Sequence, residues 1–80
     1  MSTPFIINKY TTREQLREWY GVKKDKFREM CRNAGVPDRQ ALGAIEISCI
    51  IMRYGHADSN VDIQIPIEEN FRIWQKRQSA

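Results

Sequence analysis

Between residues 11 and 35, two short helical hydrophobic patterns flank a single glycine, and this spacing constrains the fold more than any other feature. Leu16, Trp19 and Tyr20 recur at i, i+3 and i+4, the repeat of one helix face. Thr11 with Glu14 three residues on gives the capping-box pattern that opens such a helix. Gly21 ends it, because glycine accepts the positive φ of a tight turn. Phe27, Met30, Cys31 and Ala34 repeat the helical spacing and predict a second helix from about Lys24 to Ala34, closed by Gly35. Val36-Pro37-Asp38 then reads as a turn, since proline cannot continue the helix.

A helix-turn-helix places its anchors at fixed offsets. The first helix needs an apolar residue at its fourth position and another just before the turn. The turn needs a glycine followed by an apolar plug. The second helix needs two inward apolar positions three apart. Counted from Arg13, those places hold Leu16, Tyr20, Gly21, Val22, Phe27 and Met30. The fifth position, where the helices approach closely and a small residue is usual, holds Arg17. Its side chain is expected to bend outward or to widen the crossing.

With Phe27 and Met30 facing inward, the outward positions of the second helix are Lys23, Lys24, Asp25, Lys26, Arg28, Glu29, Arg32 and Asn33, five of them basic. In this motif the start of the second helix meets base edges and the remainder meets phosphates. Lys24 and Arg28, one turn apart, are the candidates for the major groove, where Arg favours guanine. Lys23, Lys26, Arg32 and Asn33 are candidates for the surrounding contacts, and Arg13 and Arg17 for the backbone. The bland counterpart is a solvated helix face in which Asp25 and Glu29 offset the cations.

Tyr10-Thr11, Leu16, Tyr20-Gly21-Val22, the basic run around Phe27 and the closing Gly35 together resemble the excisionase/MerR-like helix-turn-helix of small phage and mobile-element proteins. The resemblance covers residues 10–55 if a third helix is included. It implies sequence-specific binding of double-stranded DNA, by a transcriptional regulator or an excisionase-like recombination accessory factor, with the second helix in the major groove. Many members carry a β-hairpin wing after that helix. Only seven residues separate Gly35 from Gly43 here, so no full wing is expected unless residues 44–52 supply a strand.

Those residues read two ways. Leu42, Ile45, Cys49 and Met52 or Arg53 fit a helix face, and Gly55 fits its cap. Ile45, Ile47, Cys49 and Ile51 alternate as a strand would. Length and the terminal glycine favour the helix. Residues 56–60 form a polar linker, and Val61, Ile63 and Ile65 alternate as a short strand. Pro66 suits the first turn of a last helix. Glu68 and Glu69 follow at its start, and Lys76 and Arg77 come at its end, as the helix dipole prefers. Ile67, Phe71, Trp74 and Gln78 form its stripe. The expected fold is mainly α: a small three-helix domain of the helix-turn-helix kind over residues 11–55, preceded by an arm (1–10). A linker, short strand and C-terminal amphipathic helix (56–80) follow.

Composition narrows the function class. At 80 residues the chain has room for one domain. With 41% hydrophobic and 29% charged residues it has the balance of a folded, soluble chain. Residues 1–53 carry ten basic and six acidic side chains and residues 54–80 three and four. The basic excess therefore lies with the two-helix segment, as a polyanionic partner would require. No apolar run is long enough for a signal peptide or a membrane span, so a cytoplasmic protein is expected. Cys31 and Cys49 are expected as reduced core thiols. The lone histidine, His56, has no partner at metal-ligand spacing. No nucleophile–base pair or phosphate-binding glycine loop is present, so neither a catalytic site nor a cofactor is expected.

The tail admits two uses. Residues 61–65 could pair with residues 5–7 while the last helix completes the core. Alternatively, Phe71, Trp74 and Ile67 could face a partner, either a second copy across a twofold axis or another protein. The second use supports the alternative function, a phage or mobile-element interaction module (an inhibitor or structural adaptor) that keeps the fold without the DNA role. A terminase-like packaging subunit is a third option and would need a ring oligomer.

Overall fold

Thr12, not Thr11, caps the first helix in the computed structural model, which describes residues 3–37 and 42–79. The Thr12 side chain accepts from the Gln15 amide at 3.1 Å, and the Gln15 side chain accepts from the Thr12 amide at 3.0 Å. This reciprocal box lies one residue later than Thr11 and Glu14 would have placed it. Thr11 is unavailable because it is buried and its hydroxyl accepts from the Asn8 amide at 2.9 Å. Helix α1 (Arg13–Tyr20) follows and ends at Gly21, whose φ of 66° is left-handed. Helix α2 (Lys24–Ala34) begins after three residues and ends at Gly35, with φ of 75°. Gly35 is required for a second reason: a Cβ there would stand 2.9 Å from Cζ2 of Trp74.

Helix α3 (Ala44–Tyr54) excludes the strand reading of residues 44–52. Ile47, Ser48, Cys49, Ile50 and Ile51 are all buried, because α3 packs on α2 and most extensively on the last helix. A helix enclosed on most sides shows no clean 3.6-residue stripe, which explains the strand-like alternation. The expected face is corrected accordingly. Leu42 and Cys49 are buried and Ile45 is half-buried, but Met52 and Arg53 are exposed.

Strand β1 (Phe5–Ile7) pairs in parallel with β2 (Val61–Ile63), in the register Phe5↔Val61, Ile6↔Asp62 and Ile7↔Ile63. A parallel pair needs a long crossover, and all three preceding helices lie within it. β2 stops two residues short of the expected Ile65. The Gln64 amide makes the last bond, to the Ile7 carbonyl at 2.8 Å, and β1 offers no further partner. Helix α4 (Ile67–Ser79) starts just after Pro66, whose carbonyl accepts from the Asn70 amide at 2.9 Å. Proline therefore precedes the first turn and does not lie within it. Ile67, Asn70, Phe71 and Trp74 turn inward and are half-buried, whereas Gln78 is exposed. Asn70 donates to the Ser48 hydroxyl at 3.1 Å, and that hydroxyl donates to the Ala44 carbonyl at 2.7 Å, so the buried serine is satisfied.

Leu16, Phe27, Met30, Cys31, Ile47, Ile50 and Ile7 form the centre of the core. Trp19 and Tyr20, expected inside, are only half-buried at its edge. Trp19 stacks on Phe5 with ring centres 5.5 Å apart. Tyr20 donates its hydroxyl to the Gly55 carbonyl at 2.7 Å, tying the end of α1 to the cap of α3. Burial pushes the pKa of this hydroxyl well above the usual tyrosine range. Replacing Tyr20 with Phe should therefore cost about 1 kcal/mol, read as a lower urea midpoint with unchanged slope. An unchanged midpoint would mean that water replaces the bond at no cost.

Both cysteines are free and buried. Burial pushes the Cys49 thiol up to about 11, and the Glu46 carboxylate adds to the rise. A raised value disfavours the thiolate, leaving roughly one thousandth of it ionised at pH 8. Native protein should react with Ellman's reagent at least ~100-fold more slowly than the urea-unfolded chain. Rapid native labelling would show that α2 or α3 opens readily.

Candidate nucleic-acid interface

Helix α2 is divided sharply between two environments. Phe27, Met30, Cys31 and Ala34 are buried, and Lys23, Lys24, Asp25, Lys26, Arg28, Glu29, Arg32 and Asn33 are all exposed. At 3.6 residues per turn, Lys24, Arg28 and Arg32 fall on one line, spanning about 12 Å along the axis. Asp25 and Glu29 fall on the neighbouring line. Lys26 approaches Glu29 at 3.8 Å, with both side chains largely in solvent. Such a pair contributes little and gives way easily to a competing anion.

Arg13 and Lys24 share a cleft of about 350 Å³ with Thr12 and Glu14. The starts of α1 and α2 thus lie beside each other. The Arg13 guanidinium also lies 5.3 Å from the centre of the Phe27 ring, a cation–π contact that anchors it to the core.

Arg17 is placed differently from the other basic residues. Its Nε donates to Glu14 Oε1 at 3.1 Å, a second guanidinium nitrogen reaches the same oxygen, and Nη1 donates to the Val22 carbonyl at 2.8 Å. The hydrogen bond to Arg17 holds the Glu14 carboxyl below its usual range, and Glu14 in turn raises Arg17. The bulky residue at the crowded position therefore bends back along α1 and satisfies a carbonyl of the turn. This leaves its guanidinium occupied within the chain, apart from the Lys24–Arg28–Arg32 line.

The three side chains offered to a partner, Ile67, Phe71 and Trp74, pack against the chain's own core. The Phe71 and Trp74 rings are stacked, with centres 6.0 Å apart. Part of their surface, with Ala34, Asn33, Met52 and Arg53, lines a cleft of about 320 Å³.

Compared with protein families, curated proteins and solved structures, the chain matches none. The residues alone therefore carry the functional reading. Among the described residues no group of three or more His, Cys, Asp or Glu side chains could hold a metal ion. The His56 ring lies 6.4 Å from the Trp19 ring. No helix of the described residues is long and apolar enough to cross a membrane.

Tyr10, part of the Tyr10-Thr11 phrase, is 75% exposed, and Ile73, outside the expected stripe of α4, is 42% exposed. Periodicity could not single out Ile73, because the larger Phe71 and Trp74 define the helix stripe.

Proposed function

We propose that the chain binds double-stranded DNA through the outer face of α2, as a regulator or as an accessory factor in recombination. The observation that carries this reading is the exposed Lys24–Arg28–Arg32 line on a helix whose opposite face is fixed in the core. The helix-turn-helix reading of α1, the three-residue turn and α2 adds to it. Leu16, Phe27 and Met30 are buried at the anchor places, and Arg17 braces the turn through Val22.

In this arrangement Lys24 and Arg28 enter the major groove. Lys23, Lys26 and Arg32 neutralise phosphates, and Asn33 and Arg13 stand at the two ends of the surface. Asp25 and Glu29 can only accept hydrogen bonds. Beside phosphate they would repel, whereas against the amino group of cytosine they fit. Their presence favours base readout over indiscriminate backbone binding. The alternative, an adaptor that docks through Phe71, Trp74 and Ile67, draws less support, since those side chains are partly consumed in packing the chain's own core.

The test is an NMR titration with a duplex of mixed sequence at low salt. Amide shifts should concentrate on residues 23–33 and the first turn of α1, leaving α4 undisturbed. Shifts confined to α4, or none, would overturn the proposal.

A further inference from the structure

Helix α4 presents a patterned outer face that the chain itself leaves uncovered. With Ile67, Asn70, Phe71 and Trp74 turned inward, Glu69, Ile73 and Arg77 fall on one outer line, four residues apart, with Lys76 beside it. Glu69, Lys76 and Arg77 are exposed, as is 42% of Ile73. Glu69 and Arg77 are two turns apart, about 12 Å, too far to pair along their own helix. Among the described residues neither forms an ion pair.

The line reads acid, apolar, base, and this order is complementary to itself when reversed. A second copy of α4 laid antiparallel, with Ile73 on Ile73, sets Glu69 of each copy against Arg77 of the other. A parallel arrangement would set like charge on like. Twofold contacts require a patch of this self-complementary kind. Tyr10, 75% exposed, lines a cleft with Ile65, Pro66 and Asn70 at the start of the helix. An antiparallel partner helix would run its C-terminal end toward this cleft.

We propose that the outer face of α4 is the seam of a homodimer, with a second copy of this chain as its occupant. Glu69 and Ile73 point away from Phe71 and Trp74, and Arg77 borders the cleft that Trp74 lines. The seam is independent of the DNA proposal, because it is tested without DNA.

Only one large apolar residue sits at its centre, so the dimer is weak, with a dissociation constant on the order of 0.1 mM. Sedimentation equilibrium over a range from ~10 μM to ~1 mM should show monomer passing to dimer. Arg77→Glu sets acid against acid twice over and should raise the dissociation constant about tenfold. Glu69→Arg combined with Arg77→Glu restores the complementary order and should return it to near the parent value. Circular dichroism monitors the fold of these surface variants. A parent that stays monomeric throughout the range, an Arg77→Glu variant that dimerises as well as the parent, or a double swap that fails to recover would each overturn the proposal.

Discussion

The double variant Lys24→Glu/Arg28→Glu is expected to bind duplex DNA about 100-fold more weakly than the parent while keeping its fold. Both side chains are exposed, on the flank of α2 beside its buried Phe27 and Met30 face. Each substitution reverses a charge, so an attraction is lost and a repulsion is gained. At a groove contact the loss amounts to about 1–3 kcal/mol per side chain. The fold should survive because no core contact is touched, and carboxylates near the start of a helix suit its dipole. Arg72→Glu/Lys76→Glu supplies the control. It makes the same charge change on α4, and at moderate salt its long-range effect is largely screened. Anisotropy with a labelled duplex measures all three proteins. Equal losses from the α2 and α4 variants would show that net charge, not the α2 face, governs binding.

Truncating Phe27 to Ala should cost about 3–5 kcal/mol. The ring is completely buried and is the largest fully buried side chain among the described residues. It sits on the inner face of α2, within a core shared with Leu16 of α1 and Ile47 and Ile50 of α3. Its loss leaves a cavity that these rigid neighbours cannot close, and removes the ring beneath the Arg13 guanidinium. A chain of this length has roughly 4–12 kcal/mol of total stability, so the variant should lose a large fraction of it. Urea unfolding followed by circular dichroism gives the difference directly. A cost below ~1 kcal/mol would mean that α2 is not seated on the core as described, and the exposed line would lose its rigid support.

How much of this was legible in the sequence varied with how asymmetrically each element is buried. α1 and α2 bury one face each, so their spacing, their glycine stops and the exposed basic set of α2 could be read from the residues. α3 could not be read cleanly, because burial on most sides erases the stripe, and the expected face at Met52 and Arg53 points outward. The shift of the α1 cap from Thr11 to Thr12 depends on Asn8, which claims the Thr11 hydroxyl from outside the helix. Alternation carried β2 on to Ile65, but strand length is set by the partner, and β1 ends at Ile7. Arg17 stood out as oversized for its position. That it would reach the Val22 carbonyl depends on the geometry of the turn, which spacing does not reveal. Ile73 was hidden for a simpler reason: an isolated apolar residue looks the same in sequence whether it faces the core or solvent.

The most direct measurement of the central proposal is duplex affinity across a salt series. Each neutralised phosphate contributes about 0.9 to the slope of log K against log salt concentration. With Lys23, Lys26 and Arg32 on phosphates and Lys24 and Arg28 close to them, the slope should lie at roughly −3 to −5. A flat dependence, or no binding even at low salt, would contradict DNA recognition by α2.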